Sequence, residues 1–360
     1  MQKTKFFTML LSAAILYVLT GCNNISNYYY TGNTGSNSEG GSVTEDVTWP
    51  EGVIPLKAGT NGTAGTSGTY VYFGEWPQTL KDADLKIYTN YTKTVGMFTY
   101  YLGNDSEWYA EVKGNYYKVE PIKWRVLNPD AKGTEKKILF AENALIASSY
   151  YDTYVNGTEI TINGEEIGHN NYEHSRVRAL LNGLSYWIKA DEDAEQEEIT
   201  EFKDKGFLHT AFTQEEIDAI ADTSVVNDAR STNPDDNPYY DNDGENSLAS
   251  DTPTIDKVFL LSIQEVTKQE YGFTYSPVRD YETKALGERN ARIRNSTDFA
   301  AANGAKNINI SSGNFGCQWW LRSPYVYGDY EQNTVDYDGY AGRPSFVDNT
   351  YGIVPALCLN

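Results

Sequence analysis

Oxygen-bearing side chains crowd the segment 234–246, where several carboxylates surround a glycine. Hard oxygen ligands of this kind are what calcium requires. The segment does not match the EF-hand loop, because Tyr239 stands where the first aspartate would be and Ser250 where the bidentate glutamate would be. Two interpretations stay open, a solvated polar loop and a loop that binds one Ca²⁺. The calcium ligands would be Asp235, Asp241, Asp243 and Glu245.

A second set of residues, Trp319-Trp320-Leu321-Arg322, has the pattern of a strand. Because side chains alternate between the two faces of a strand, Trp320 and Arg322 would share one face. If that face is exposed, an indole beside a guanidinium can stack on a sugar ring or hold a carboxylate. Tyr325 and Tyr327 would extend this binding face from the following loop. The alternative is that both tryptophans are core residues and Arg322 is buried against backbone carbonyls or a carboxylate.

Catalytic groups are harder to find. His169 and His174 are five positions apart, so they do not share a helix face as a metalloprotease pair would, and His209 is remote. The Asn-rich surroundings of the first two predict surface loops. With 50 Asp and Glu residues, paired carboxylates are expected by chance and do not identify a hydrolase. The sequence therefore favours a protein without enzymatic activity, although it leaves a hydrolase open.

Three cysteines are present, Cys22, Cys317 and Cys358. In an oxidising compartment a disulfide between the last two would stabilise the fold by roughly 3–4 kcal/mol. The alternative is two buried free thiols. The sequence does not decide between them.

The first 22 residues have the parts of an export signal. Lys3 and Lys5 supply positive charge, and residues 6–19 form an apolar run that is too short for a membrane-spanning helix of roughly 20 residues. The closing segment Leu19-Thr20-Gly21-Cys22 resembles the lipobox of bacterial lipoproteins. This resemblance implies cleavage after residue 21 and attachment of acyl chains such as palmitate to Cys22, which together anchor a protein durably.

The resemblance also implies a location outside the cytoplasm. Asn23 is not the aspartate that retains some lipoproteins at the inner membrane, so the expected place is the outer membrane or the cell surface. Without Lys3 and Lys5 the chain keeps 27 basic and 50 acidic residues, a net charge of −23. A surface of this charge repels phosphate backbones, which argues against nucleic acid as a partner. Neutral glycans, proteins and cations remain as partners.

Composition divides the rest of the chain into a tether and a domain. Residues 22–68 are rich in Asn, Gly, Ser and Thr, as flexible linkers are, and residues 69–360 form the predicted globular domain. From Tyr70 onward, short runs of β-branched and aromatic residues predict an antiparallel meander. An apolar stripe after Ser175 and capping boxes at Thr213 and Ser262 predict two or three short helices. The expected fold class is α+β.

Six landmarks occur in one order and resemble an uncharacterised bacterial domain-of-unknown-function family found in exported proteins, over roughly residues 70–360. They are residues 72–79 (YFGEWPQT), 122–127 (IKWRVL), 177–183 (VRALLNG), 256–262 (DKVFLLS), 319–324 (WWLRSP) and 352–357 (GIVPAL). The layout also has a distant resemblance to sulfatase-modifying (formylglycine-generating) and C-type-lectin-like domains. That resemblance implies a single C-type-lectin-like α+β domain, although the closely spaced copper-binding cysteines of the sulfatase-modifying enzymes have no counterpart.

These observations together predict a lipid-anchored, extracytoplasmic binding module without catalytic activity. Its partner would be a glycan or a protein of the cell envelope. The competing predictions are an enzyme of the sulfatase-modifying type or a carboxylate-based hydrolase, and a structural envelope protein without a small ligand.

Overall fold

The computed structural model describes residues 49–63, 65–132, 135–152, 158–228, 232, 253–273, 291–309 and 315–360. Cys22 and the segment that contains Asp235, Asp241, Asp243 and Glu245 lie outside these residues, so the lipidation and calcium predictions stay predictions. Among the described residues, no helix is long and apolar enough to cross a membrane.

Strands dominate the part of the chain that the structure describes. In chain order they are β1 (Ile54–Pro55), β2 (Tyr70–Leu80), β3 (Ile87–Val95), β4 (Phe98–Gly103), β5 (Trp108–Val112), β6 (Asn115–Val126), β7 (Lys137–Ala141), β8 (Ile146–Ser148), β9 (Ile160–Ile162), β10 (Glu165–Ile167), β11 (Tyr186–Ile188), β12 (Glu197–Ile199), β13 (Thr223–Val225), β14 (Thr254–Asp256), β15 (Val258–Phe259), β16 (Ile308–Asn309), β17 (Phe315–Gly316), β18 (Trp319–Pro324), β19 (Glu331–Val335), β20 (Ala341–Phe346), β21 (Tyr351–Ile353) and β22 (Ala356–Leu359).

A nine-stranded antiparallel sheet is the larger of the two main sheets. Its order is β15-β22-β7-β6-β5-β4-β3, and β2 pairs with β6 and with β1. Strand β6 is continuous through Pro121, which lies opposite Glu75 of β2 next to an irregularity in the register. The proline therefore does not divide this segment into two strands.

The second main sheet has five strands in the order β20-β19-β18-β21-β8. All its pairs are antiparallel except β18 with β21, where Trp319 lies beside Gly352. The two sheets share one core, since Phe140 of β7 contacts Trp319 of β18 at a ring-centroid distance of 5.6 Å.

The described helices are short, with four to seven residues each: α1 (Arg176–Asn182), α2 (Phe207–Ala211), α3 (Gln214–Ala219), α4 (Ile263–Val266) and α5 (Asp298–Asn303). The predicted caps are confirmed: the Ser175 hydroxyl accepts from Arg178 N, and capping boxes open α3 and α4. Helix α1 ends at Asn182, because Gly183 adopts a left-handed φ of 68°. Leu184, the last leucine of the predicted apolar stripe, therefore lies outside the helix.

An aromatic cluster joins the helices to the larger sheet. Trp76 of β2 is fully buried, and its indole N–H donates to the Leu145 carbonyl at 2.9 Å. The rings of Phe207 in α2 and Phe299 in α5 lie 4.9 and 5.9 Å from it. These contacts explain why helices too short to be stable alone persist here.

The α+β prediction is wrong. Strands hold 40% and helices 13% of the described residues, so the fold is mainly β, with no clear C-type-lectin arrangement. Capping signals identified helices correctly but carried no information on their length. One compact unit spans Trp49–Asn360, and within it Ile54 and Pro55 pair with β2.

Candidate functional site

The strand that carries Trp320 and Arg322 is buried along its whole length. Trp320 is 0% exposed, its indole N–H donates to the Ser148 carbonyl at 2.9 Å, and the Tyr351 ring lies 5.0 Å away. The predicted exposed face of Trp320 and Arg322 is therefore wrong, because the fold covers both faces of β18. The alternative interpretation, in which both tryptophans belong to the core, describes the structure.

Arg322 is a buried structural residue. Its guanidinium donates to both carboxylate oxygens of Glu265, and to the carbonyls of Leu260 at 2.7 Å and Val226 at 2.9 Å. Burial would raise the pKa of the Glu265 carboxyl, but the charge and hydrogen bonds of Arg322 hold it below its usual value. The pair lines a cavity of about 90 Å³ together with Cys358. Because Arg322 already has this set of acceptors, it is poorly suited to bind a ligand.

Cys317 and Cys358 are both buried free thiols, so the disulfide alternative is wrong. They lie in different surroundings: Cys317 precedes β18 and lies against Gly352, whereas Cys358 is in β22 of the larger sheet. Burial raises the pKa of the Cys317 thiol to about 12 and also raises that of Cys358. Neither thiol is poised for chemistry.

The remaining predicted residues, Tyr325 and Tyr327, lie on the connection between β18 and β19. Their rings are 5.5 Å apart and nearly perpendicular, and Tyr327 is 54% exposed. Tyr330 follows on the same connection and stacks on the exposed ring of Phe346 at 6.0 Å. We call residues 325–330 the tyrosine loop. It is an aromatic surface that sequence reasoning located in part.

A buried asparagine holds the tyrosine loop in place. The side-chain amide of Asn170 donates to the carbonyls of Tyr325, Gly328 and Glu331 at 3.0–3.2 Å. The backbone N–H of Asn170 donates to the Asp329 carbonyl at 2.8 Å. The backbone N–H and the two amide N–H groups of Asn170, one of them shared between two carbonyls, fix the loop's backbone. The exposed ring of Tyr327 is therefore presented on a defined surface.

Beside Asn170, three ligand-type side chains converge. One donor atom each from Glu159, His169 and Asp329 lies within 4.8 Å of the other two. His169 Nδ1 is 3.6 Å from Asp329 Oδ2, and His169 Nε2 is 3.0 Å from the Thr158 hydroxyl. The nearby His169 imidazole lowers the pKa of Asp329 more than partial burial raises it.

A hairpin brings Glu159 and His169 together. Strands β9 and β10 are joined by Asn163-Gly164, both with positive φ (55° and 87°), as a type I′ turn requires. Ile160 pairs with Ile167, so the residues just outside the two strands meet at the open end of the hairpin. Asp329 reaches this end from the tyrosine loop. The prediction that His169 is a surface residue is wrong, since it is 1% exposed.

One imidazole nitrogen and two carboxylates can hold a divalent cation or share a proton. Among the described residues, this is the set of His, Cys, Asp and Glu side chains whose geometry suits a metal ion. The Asn-Gly turn between two short apolar runs was a local signal for the hairpin. Nothing in the sequence indicated the approach of Asp329, which is 160 positions further along the chain.

The sequence profile of a family described as a domain of unknown function (DUF6273) matches residues 134–360. This span includes Glu159, His169, the tyrosine loop and the Arg322–Glu265 pair. No curated protein and no solved structure matches the chain.

Proposed function

The chain belongs to the DUF6273 family, and we propose that it is a lipid-anchored, extracytoplasmic module that binds a neutral glycan through the tyrosine loop. The observation that carries this proposal is a pair of tyrosine rings held in a T-shaped contact on a loop pinned by a buried asparagine. Tyrosine suits such surfaces because its ring packs on apolar faces while its hydroxyl stays hydrated.

The electrostatics of the loop support a neutral polyhydroxylated partner. Asp329 lies two positions from Tyr327, and Glu159 is close to Asp329. Carboxylates of this kind accept hydrogen bonds from sugar hydroxyls, and the flat C–H face of a sugar packs on an aromatic ring. The formal net charge of −21 disfavours acidic polymers.

We expect Tyr327→Ala to weaken glycan binding about five- to tenfold without lowering the melting temperature. One exposed ring contributes on the order of 1 kcal/mol, and its removal leaves no buried cavity. The measurement is a glycan array followed by calorimetric titration of the best ligand. Tyr91→Ala is the matched control, because Tyr91 is 57% exposed and also forms a T-shaped pair, with Tyr88, remote in sequence from the loop.

Equal weakening by both variants would contradict the site, as would glycan binding that neither variant changes. The other outcome is an array that shows no bound glycan, while envelope extracts yield a protein whose capture requires Tyr327. In that case the partner is a protein and the glycan proposal fails. The resemblance to sulfatase-modifying enzymes stays a prediction. Their copper-binding cysteine pair is not matched by Cys317 and Cys358.

The lipid anchor is tested separately. We expect metabolically supplied palmitate to label the wild-type chain and not Cys22→Ala, because the acyl chains would be attached at that cysteine. Mass spectrometry of the native protein should find an acylated N-terminal Cys22. A native chain that retains Met1 and carries no acyl group would contradict both the anchor and the location.

A further inference from the structure

The cluster of Glu159, His169 and Asp329 shares its two carboxylates with the proposed glycan site, but the argument for a metal ion rests on the cluster's own geometry and holds whether or not a glycan binds. We propose that these three side chains form a binding site for a divalent transition-metal ion of the zinc class. The site would join the open end of the β9–β10 hairpin to the tyrosine loop.

The distances fit such an ion. Zinc binds histidine nitrogen and carboxylate oxygen at roughly 2.0–2.2 Å, so two ligands of a tetrahedral ion are separated by about 3.3–3.4 Å. His169 Nδ1 and Asp329 Oδ2 are 3.6 Å apart, close to this value. One Glu159 carboxylate oxygen lies within 4.8 Å of a ligand atom of each of the other two residues, so a side-chain shift of roughly 1.5 Å would bring it to ligand spacing.

The second nitrogen of His169 is also arranged as in metal sites. A histidine ligand commonly donates its other ring N–H to an oxygen, which fixes the tautomer and the ring orientation. His169 Nε2 lies 3.0 Å from the Thr158 hydroxyl, and the Tyr151 ring contacts the imidazole at 5.3 Å. Nδ1 is therefore the nitrogen that faces the Asp329 carboxylate, and the ring is oriented before any ion binds.

The donor set selects the class of ion. Calcium and magnesium take oxygen ligands, whereas imidazole suits zinc and related ions. Three protein ligands leave one position of a tetrahedral ion open, as in zinc sites that also bind water or a ligand. The partial exposure of Glu159 and Asp329 places that position towards solvent. This donor set differs from the all-oxygen set predicted for a calcium site at Asp235, Asp241, Asp243 and Glu245.

The test is calorimetric titration and native mass spectrometry of the full chain, produced without a histidine tag and stripped with EDTA. We expect one Zn²⁺ per chain and a higher melting temperature with Zn²⁺ than with Ca²⁺. Asp329→Asn should weaken Zn²⁺ binding more than 100-fold. Thr158→Val should weaken it by about 10- to 100-fold, the usual effect of losing a partner of a metal ligand.

His174→Gln is the matched control, because His174 lies outside the cluster and should leave Zn²⁺ affinity unchanged. Asp329→Asn changes a partly exposed side chain, so it should fold even if variants of buried His169 do not. The proposal is overturned if the wild type takes up no Zn²⁺ at micromolar concentration, or if Asp329→Asn binds Zn²⁺ as the wild type does. The zinc proposal is also overturned if the wild type binds Ca²⁺ but not Zn²⁺ and Asp329→Asn abolishes that Ca²⁺ binding.

Discussion

Glu265→Gln is expected to lower the free energy of unfolding by about 3 kcal/mol, towards the lower end of the 3–5 kcal/mol found when one partner of a buried ion pair is removed. Arg322 is almost fully buried and would keep its charge without a carboxylate beside it. Glutamine preserves the shape of the side chain and can still act in the capping box of α4. Urea denaturation at pH 7 measures the loss.

The other capping box supplies the matched control. Glu216 closes the box of α3 in the same way as Glu265 closes that of α4. It forms no salt bridge among the described residues. Glu216→Gln should therefore change stability by less than about 0.5 kcal/mol. A similar effect of the two substitutions would mean that the Arg322 pair contributes nothing beyond capping.

The same pair predicts a pH dependence. The pKa of Glu265 is lower in the folded protein than its ordinary value, so its stabilisation is fully present above that value and is lost as the pH falls towards the folded pKa. The difference in stability between wild type and Glu265→Gln should therefore be largest at neutral pH and shrink below about pH 4. A difference that grows in acid would contradict the assignment.

The double variant with Glu265→Gln and Arg322→Met should lose less free energy of unfolding than the sum of the losses of the two single variants.

Local signals predicted local structure well. The capping boxes at Thr213 and Ser262 involve residues three positions apart, and both form. Strand β7 also carries a local signal, a short run of β-branched and aromatic residues. Strand β3 carries no signal of alternation, because seven of its nine residues are exposed and no buried position alternates with them. The periodicity of apolar residues in the sequence does not give the number of strands. The mainly β fold class therefore could not be predicted from it.

The candidate site was mostly beyond prediction because its residues meet through long-range contacts. Asn170 holds the carbonyl of Tyr325 across 155 positions, and this contact has no counterpart in local sequence. The polar neighbours of His169 predict a surface residue, yet its neighbour Asn170 binds the tyrosine loop and His169 itself is buried. Tyr327 was predicted as a ligand-binding residue, and its exposure keeps that prediction open.

Trp320 shows most clearly where alternation misleads. Side chains alternate between the two faces of a strand, so Trp319 and Trp320 lie on opposite faces of β18. This alternation alone suggests that one of the two faces is exposed to solvent. Trp319 packs on Phe140, while Trp320 packs between Tyr150 and Tyr351. Both faces of β18 are covered by other parts of the protein, so both tryptophans are buried.

Trp320→Ala should consequently destabilise the protein by about 3–5 kcal/mol, the range for truncating a buried aromatic side chain. Trp320→Phe should cost less, since it keeps most of the ring contacts but loses the hydrogen bond to Ser148, which is worth about 1 kcal/mol. Trp108→Ala, at a half-exposed site in β5, should cost less than Trp320→Ala. Chemical denaturation of the three variants checks this order. Full stability of Trp320→Ala with loss of ligand binding would instead restore Trp320 as a binding residue, because only an exposed indole can be removed without leaving a cavity.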